Sequence, residues 1–134
     1  MSIVHHVDEL EKALALDGGH TLGDVIQLAL ERKAQVWESE RAVIVTQIHD
    51  APRQRTLHFW LAAGELADVV ELSHEVLEWG RAVGCQRATL AGRKGWERVL
   101  ETEGWSYELT ILGRDLGGEG HGKDEREPDG HADA

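Results

Sequence analysis

Residues 42–50, AVIVTQIHD, and 55–63, RTLHFWLAA, are runs of β-branched, aromatic and other apolar side chains joined by APRQ, and directly after the second run the chain changes period. Such runs favour extended backbone, and Pro52 suits a turn, so the pair reads as an antiparallel hairpin. From Glu65 onward Leu66, Val69, Val70, Leu72, Val76, Leu77 and Trp79 recur at helical spacing as far as the VGC that includes Gly84. A hairpin that runs straight into an amphipathic helix buries its apolar faces by layering helices on a sheet, which makes the chain α/β.

The flanks extend that order. HHVDELEKAL places Val7, Leu10, Ala13 and Leu14 at helical spacing and stops at Gly18 and Gly19, which suit a helix C-terminus. TLGDVIQLALERKAQVW reads as a longer helix, with Thr21 and Asp24 at capping-box spacing and Leu22, Val25, Ile26 and Ala29 as its apolar face. After Gly84, QRATLAG is expected as a short strand, RKGWERVLETEG as a last helix and WSYELTILGRDL as a last strand. The expectation is a helix, helix, strand, strand, helix, strand, helix, strand domain over 1–116, with helices on a mixed central sheet and no internal repeat. Residues 117–134, GGEGHGKDEREPDGHADA, hold no large apolar side chain to offset the entropy of ordering them, and read as an acidic, Gly-rich tail.

Composition narrows the ligand. A chain of 134 residues with 41% hydrophobic content forms one core. A formal charge of −11 argues against nucleic acid as the main ligand, because a phosphate backbone is gripped by clustered Lys and Arg. No basic stretch leads into a long apolar run near the N-terminus, so neither a signal peptide nor a membrane span is expected. The single cysteine, Cys85, follows a helix-ending glycine and is expected to be a buried structural thiol in a reducing cytoplasm.

The run from the hairpin through LSHEVLEWGRAVGCQRATLAGRKGWERVLETEGWSYELTILGRDL resembles the second half of a GNAT-superfamily acyltransferase domain. More narrowly, AQVWESERAVIVTQIHDAPRQRTLHFWLAAGEL with EWGRAVGC and GRKGWERVLETEGW is similar to small GNAT-like proteins encoded among tailed-phage structural genes, some related to an internal virion protein of short-tailed phages. The resemblance covers roughly residues 20–116. It implies a single GNAT-like α/β domain, a mixed, mostly antiparallel sheet flanked by helices.

It also implies where catalysis and cofactor would sit. Active members resembling this fold carry [Q/R]-x-x-G-x-[G/A] between a strand and a helix, so that bare backbone N–H groups approach the pyrophosphate of acetyl-CoA at the positive end of the helix dipole. Here AAGELADVV offers Gly64 alone, with no basic residue, and puts Glu65, Asp68 and Glu71 into the first turns, where they complement the dipole themselves and repel a phosphate. Aligning Gly104 and Trp105 with the family's closing G-F puts Arg93 where Asn is usual, Trp96 where Ala is usual, and Leu100 where a tyrosine often protonates the departing thiolate. Leucine has no proton to give. The expectation is therefore a pseudoenzyme with no cofactor, no catalytic residue and no metal.

The remaining candidates are weaker. Glu38, Glu40, His49 and His58 lie on or near the hairpin, and of these His58 alternates with apolar neighbours as a half-exposed strand residue does. His74 and Glu78 are one helical turn apart, but two ligands do not make a zinc site. Ser73 and Ser106 lack a nucleophile-elbow context. Arg87, Arg93, Lys94 and Arg98 form the one basic concentration, open either to an anion or partner contact or to salt bridges with Glu97, Glu101 and Glu103. Of five tryptophans, Trp60 and Trp79 fit core positions, while Trp37, Trp96 and Trp105 border polar or Gly-rich turns and are candidates for an interface.

The resulting expectation is a non-catalytic structural or morphogenesis protein of a tailed-phage virion. It would bind other virion proteins of the head, internal core or head–tail region, be found in the host cytoplasm during assembly, and be able to form a homo-oligomer. The alternatives are an N-acetyltransferase with a divergent CoA loop, and an intracellular adaptor or inhibitor of a host protein.

Overall fold

A computed structural model of the chain describes residues 6–92 and 94–117, with Leu16, Asp17 and Lys94 described by their backbone alone. Helix α1 spans Val7–Asp17, α2 Leu22–Leu30 and α3 Leu66–Ala82, and α4, Glu97–Glu101, is preceded by a 3-10 turn at Lys94–Trp96. Strands β1 (Gln35–Glu38), β2 (Ala42–Ala51), β3 (Gln54–Gly64) and β4 (Arg87–Leu90) form one sheet in that order. The pairings β1–β2 and β2–β3 are antiparallel and β3–β4 is parallel, so the sheet is mixed and mostly antiparallel as expected.

Local chemistry sets the element ends. Thr21 and Asp24 close a reciprocal capping box on α2, with Thr21 N–H donating to the Asp24 carboxylate at 2.8 Å. Gly18 ends α1 in the left-handed conformation and donates its N–H to the Leu14 carbonyl. At the end of α3 Gly84 has φ 92°, and the bonds from Gly84 N–H to Arg81 and from Cys85 N–H to Gly80 complete a Schellman motif.

Two expected elements differ. The second helix stops at Leu30 rather than running to Trp37. Arg32 takes φ 62°, and Gln35–Glu38 becomes an edge strand because its backbone finds a ladder on Val43–Thr46. Residues 105–116, expected as the last strand, follow α4 as irregular chain, exposed from Ser106 onward; β4 offers four residues, too few to template a strand of that length. Residues 118–134 of the expected tail lie outside the described residues.

The sheet carries a separate cluster on each face. Leu10 and Leu14 of α1 and Val25 of α2 pack on Val43, Val45, Leu61 and Ala63. Val69, Leu72 and Val76 of α3 pack on Ala42, Ile44, Leu57 and Phe59. In β2 the division follows strict alternation, but in β3 four odd-numbered residues are split between the two faces. The cause is a β-bulge: Val45 pairs with Leu61 and Thr46 with Phe59, which leaves Trp60 as an extra residue and reverses the facing of everything after it.

Candidate cleft at the diverging strands

β4 accompanies β3 only from Thr56–Arg87 to Phe59–Leu90, and β3 then continues through Trp60–Gly64 with no β4 partner. The carboxyl ends of two parallel strands part there, a usual place for a ligand crevice in α/β sheets. The crevice is an open groove of about 330 Å3 lined by residues of α1 (Glu9, Lys12, Ala13), of the β3–α3 turn (Ala62 to Leu66) and by Trp96.

The turn is built for packing. Gly64 has φ 122°, and a Cβ there would lie 2.4 Å from the Arg41 carbonyl oxygen. The glycine is thus required by the close approach of β2. Glu65, the N-cap of α3, lines the groove and has extended backbone; its carbonyl accepts from the N–H groups of Asp68 and Val69, while its side chain makes no cap bond. Half-buried Asp68 adds a second carboxylate to the first turn of α3. A single glycine wedged on backbone and acids at the positive helix end, with Lys12 the one cation among the lining residues, fit a pyrophosphate poorly. The matching feature of α4 is likewise apolar: Leu100 is buried, and its carbonyl accepts from Trp105 N–H where Gly104 (φ 95°) ends the helix.

A second constellation lies on the sheet face that carries α1 and α2. His58 is half-buried and its Nδ1 is 2.8 Å from Thr89 Oγ1; its ring stacks on His49 at 5.2 Å. Burial, and secondarily the neighbouring His49, lowers the His58 pKa, so the imidazole is held neutral near pH 7. On this face His20, between α1 and α2, meets the bulged Trp60 edge-on at 4.8 Å. The sequence places His49 and His58 on the hairpin but contains no sign of Thr89 as the partner, because that contact depends on the β3–β4 register.

The other candidates scatter. Arg87 engages Glu108, and Glu103 engages His74 at 2.8 Å, so neither belongs to the expected salt-bridged face among Arg98, Glu97 and Glu101 on α4. Arg93 lies outside the described residues. Glu78 faces Arg81 at 3.6 Å, so His74 and Glu78 each have another partner. Cys85 is half-buried and its thiol pKa is raised by burial. Trp37 and Trp105, two of the interface candidates, are half-buried against the α3-side core. Trp37 meets Trp79 edge-on at 5.3 Å and donates Nε1–H to Thr46 Oγ1, and Trp105 meets Phe59 edge-on at 5.3 Å. Trp79 itself is half-buried at the margin of that core.

Solved structures share this architecture. A Trypanosoma brucei acetyltransferase superposes with a TM-score of 0.63 at 14% identity over 85% of this chain and 92% of that one. Glucosamine-6-phosphate N-acetyltransferase from Arabidopsis thaliana does so at 0.63 and 11% over 87% and 95%. A protein from Thermus thermophilus matches at 0.58 and 20% over 84% and 92%. The fold is GNAT-like. No protein-family model and no curated relative matches the chain. Within that GNAT-like frame the groove lies at the diverging-strand position, with the Gly64 turn in its lining.

Proposed function

We propose that this GNAT-fold protein does not use acetyl-CoA and serves as a binding component, in the setting its sequence resembles, of a tailed-phage virion. One observation carries the loss of cofactor chemistry. At the turn where a pyrophosphate would need bare N–H groups, Gly64 is packed on the Arg41 carbonyl and the next residue, which lines the groove, is the acidic Glu65. The charge of −11 favours basic protein surfaces as partners. The virion setting rests on the Trp-rich and Gly-Arg-rich motifs of residues 20–116.

A second reading, an N-acyltransferase with an unorthodox cofactor turn, is favoured by the acetyltransferase names of two structural neighbours and by His58. A neutral imidazole bonded through Nδ1 to Thr89 can accept a proton from an amine. Titration calorimetry with acetyl-CoA separates the readings: the first expects no saturable binding tighter than about 1 mM. Low-micromolar binding together with acetyl transfer to any amine, abolished by His58→Gln, overturns it. Mass spectrometry of particles from a host carrying the gene tests the virion setting, and absence of the protein from purified particles counts against it.

A further inference from the structure

Residues 105–112 alternate Trp105, Tyr107, Leu109 and Ile111 with Ser106, Glu108 and Thr110, followed by Leu112, yet they join no strand. Beyond Trp105 this strand-like segment lies open to solvent, with Ile111 81% and Leu112 88% exposed and Tyr107, Leu109 and Leu116 also exposed. A cluster of large apolar side chains on irregular surface chain is unusual for a monomer and marks an interaction surface.

Two contacts fix how the segment begins. Trp105 packs on Phe59, the β3 partner of Leu90, and Glu108 meets Arg87. The segment therefore passes β4 in the antiparallel sense, from the Leu90 end toward Arg87. Arg87 is the first residue of β4, so from Leu109 onward the segment has outrun β4.

The part beyond is self-complementary. Leu109–Gly113 carries no charge and is bounded by Glu108 and Arg114. An antiparallel pairing of two copies about Ile111 sets Glu108 against Arg114, Leu109 against Gly113, Thr110 against Leu112 and Ile111 against itself. At both ends Arg114 then gains the carboxylate of a Glu108 that already holds Arg87 of its own chain, whereas a parallel pairing stacks Arg114 on Arg114. Residue i meeting j while j meets i is the contact pattern of a two-fold dimer.

We propose that Glu108–Arg114 is a dimerisation strand, pairing antiparallel with the same segment of a second copy about Ile111. The full chain is expected to dimerise in sedimentation equilibrium below about 200 µM, and Ile111→Lys, which sets two ammonium groups face to face, to weaken the dimer about tenfold or more with far-UV circular dichroism unchanged. In a Cys85→Ser background, Ile111→Cys should oxidise to a covalent dimer, whereas Leu109→Cys, four residues out of register with its own copy, should not, because a disulfide needs Cα atoms within about 7 Å. A chain that stays monomeric at that concentration, a dimer indifferent to Ile111→Lys, or equal cross-linking at 109 and 111 overturns the proposal.

Discussion

His58 shows how one residue couples burial to pH. Its pKa is lowered in the folded chain by burial and by His49, so between that value and the ordinary histidine value the unfolded chain binds more protons. The stability from a neutral His58 is present above about pH 6.5 and is lost as pH falls through the folded pKa. His58→Gln keeps a partner for Thr89 but cannot titrate; melting curves from pH 7.5 to 5 should show the parent losing stability faster than the variant. Parallel curves would show that His58 titrates as it does in the unfolded chain. Gly64 is constrained differently, since Gly64→Ala meets both a φ of 122° and the Arg41 carbonyl at 2.4 Å. It should cost about 1–3 kcal/mol or more by denaturant unfolding. An unchanged midpoint would show that the turn accepts a side chain and that β2 does not require the glycine.

At the scale of elements, legibility follows locality. The Thr21–Asp24 box and the left-handed glycines at 18 and 84 are readable because each is decided within a few residues. The bulge is not: Leu57, Phe59, Leu61 and Ala63 alternate as if they shared one face, and only the pairing of Val45 and Thr46 with β3 makes Trp60 the extra residue. The end of α2 is hidden for a similar reason, because Gln35–Trp37 are drawn into a strand by β2 rather than by their own preference. The cleft is half legible. The acids at 65 and 68 announce a poor phosphate site, while Lys12 and Trp96 reach the groove only through tertiary packing. Packing also decides Gly80, where a Cβ would lie 2.7 Å from Leu57 Cδ2, so α3 sits directly on β3. Gly80→Val should cost about 1–3 kcal/mol by overpacking, measurable as a shifted urea midpoint with unchanged slope. A midpoint that does not move would mean the helix can lift off Leu57 freely.

For the whole molecule, both clusters of the described residues draw on side chains between Leu10 and Trp105, and the sequence after Gly117 holds no large apolar side chain to add to them. Truncation after Gly117 should therefore leave the melting temperature within about 2 °C, less than the shift expected from 1 kcal/mol in a domain of this size. It also removes six carboxylates and two cations, taking the formal charge from −11 to −7. Bringing two such chains together costs repulsion that grows with the product of their charges and is screened beyond about 10 Å at 0.1 M salt. The Glu108–Arg114 pairs of the proposed dimer are exposed and contribute only about 0–1 kcal/mol each, so the repulsion between whole chains should dominate the salt response. Dimerisation of the full chain should strengthen as salt rises, and the truncated chain should dimerise more tightly at low salt, with the difference vanishing in high salt. Sedimentation equilibrium of both forms at low and high salt measures this. A full chain whose association weakens with salt would show that the specific pairs outweigh the repulsion between whole chains.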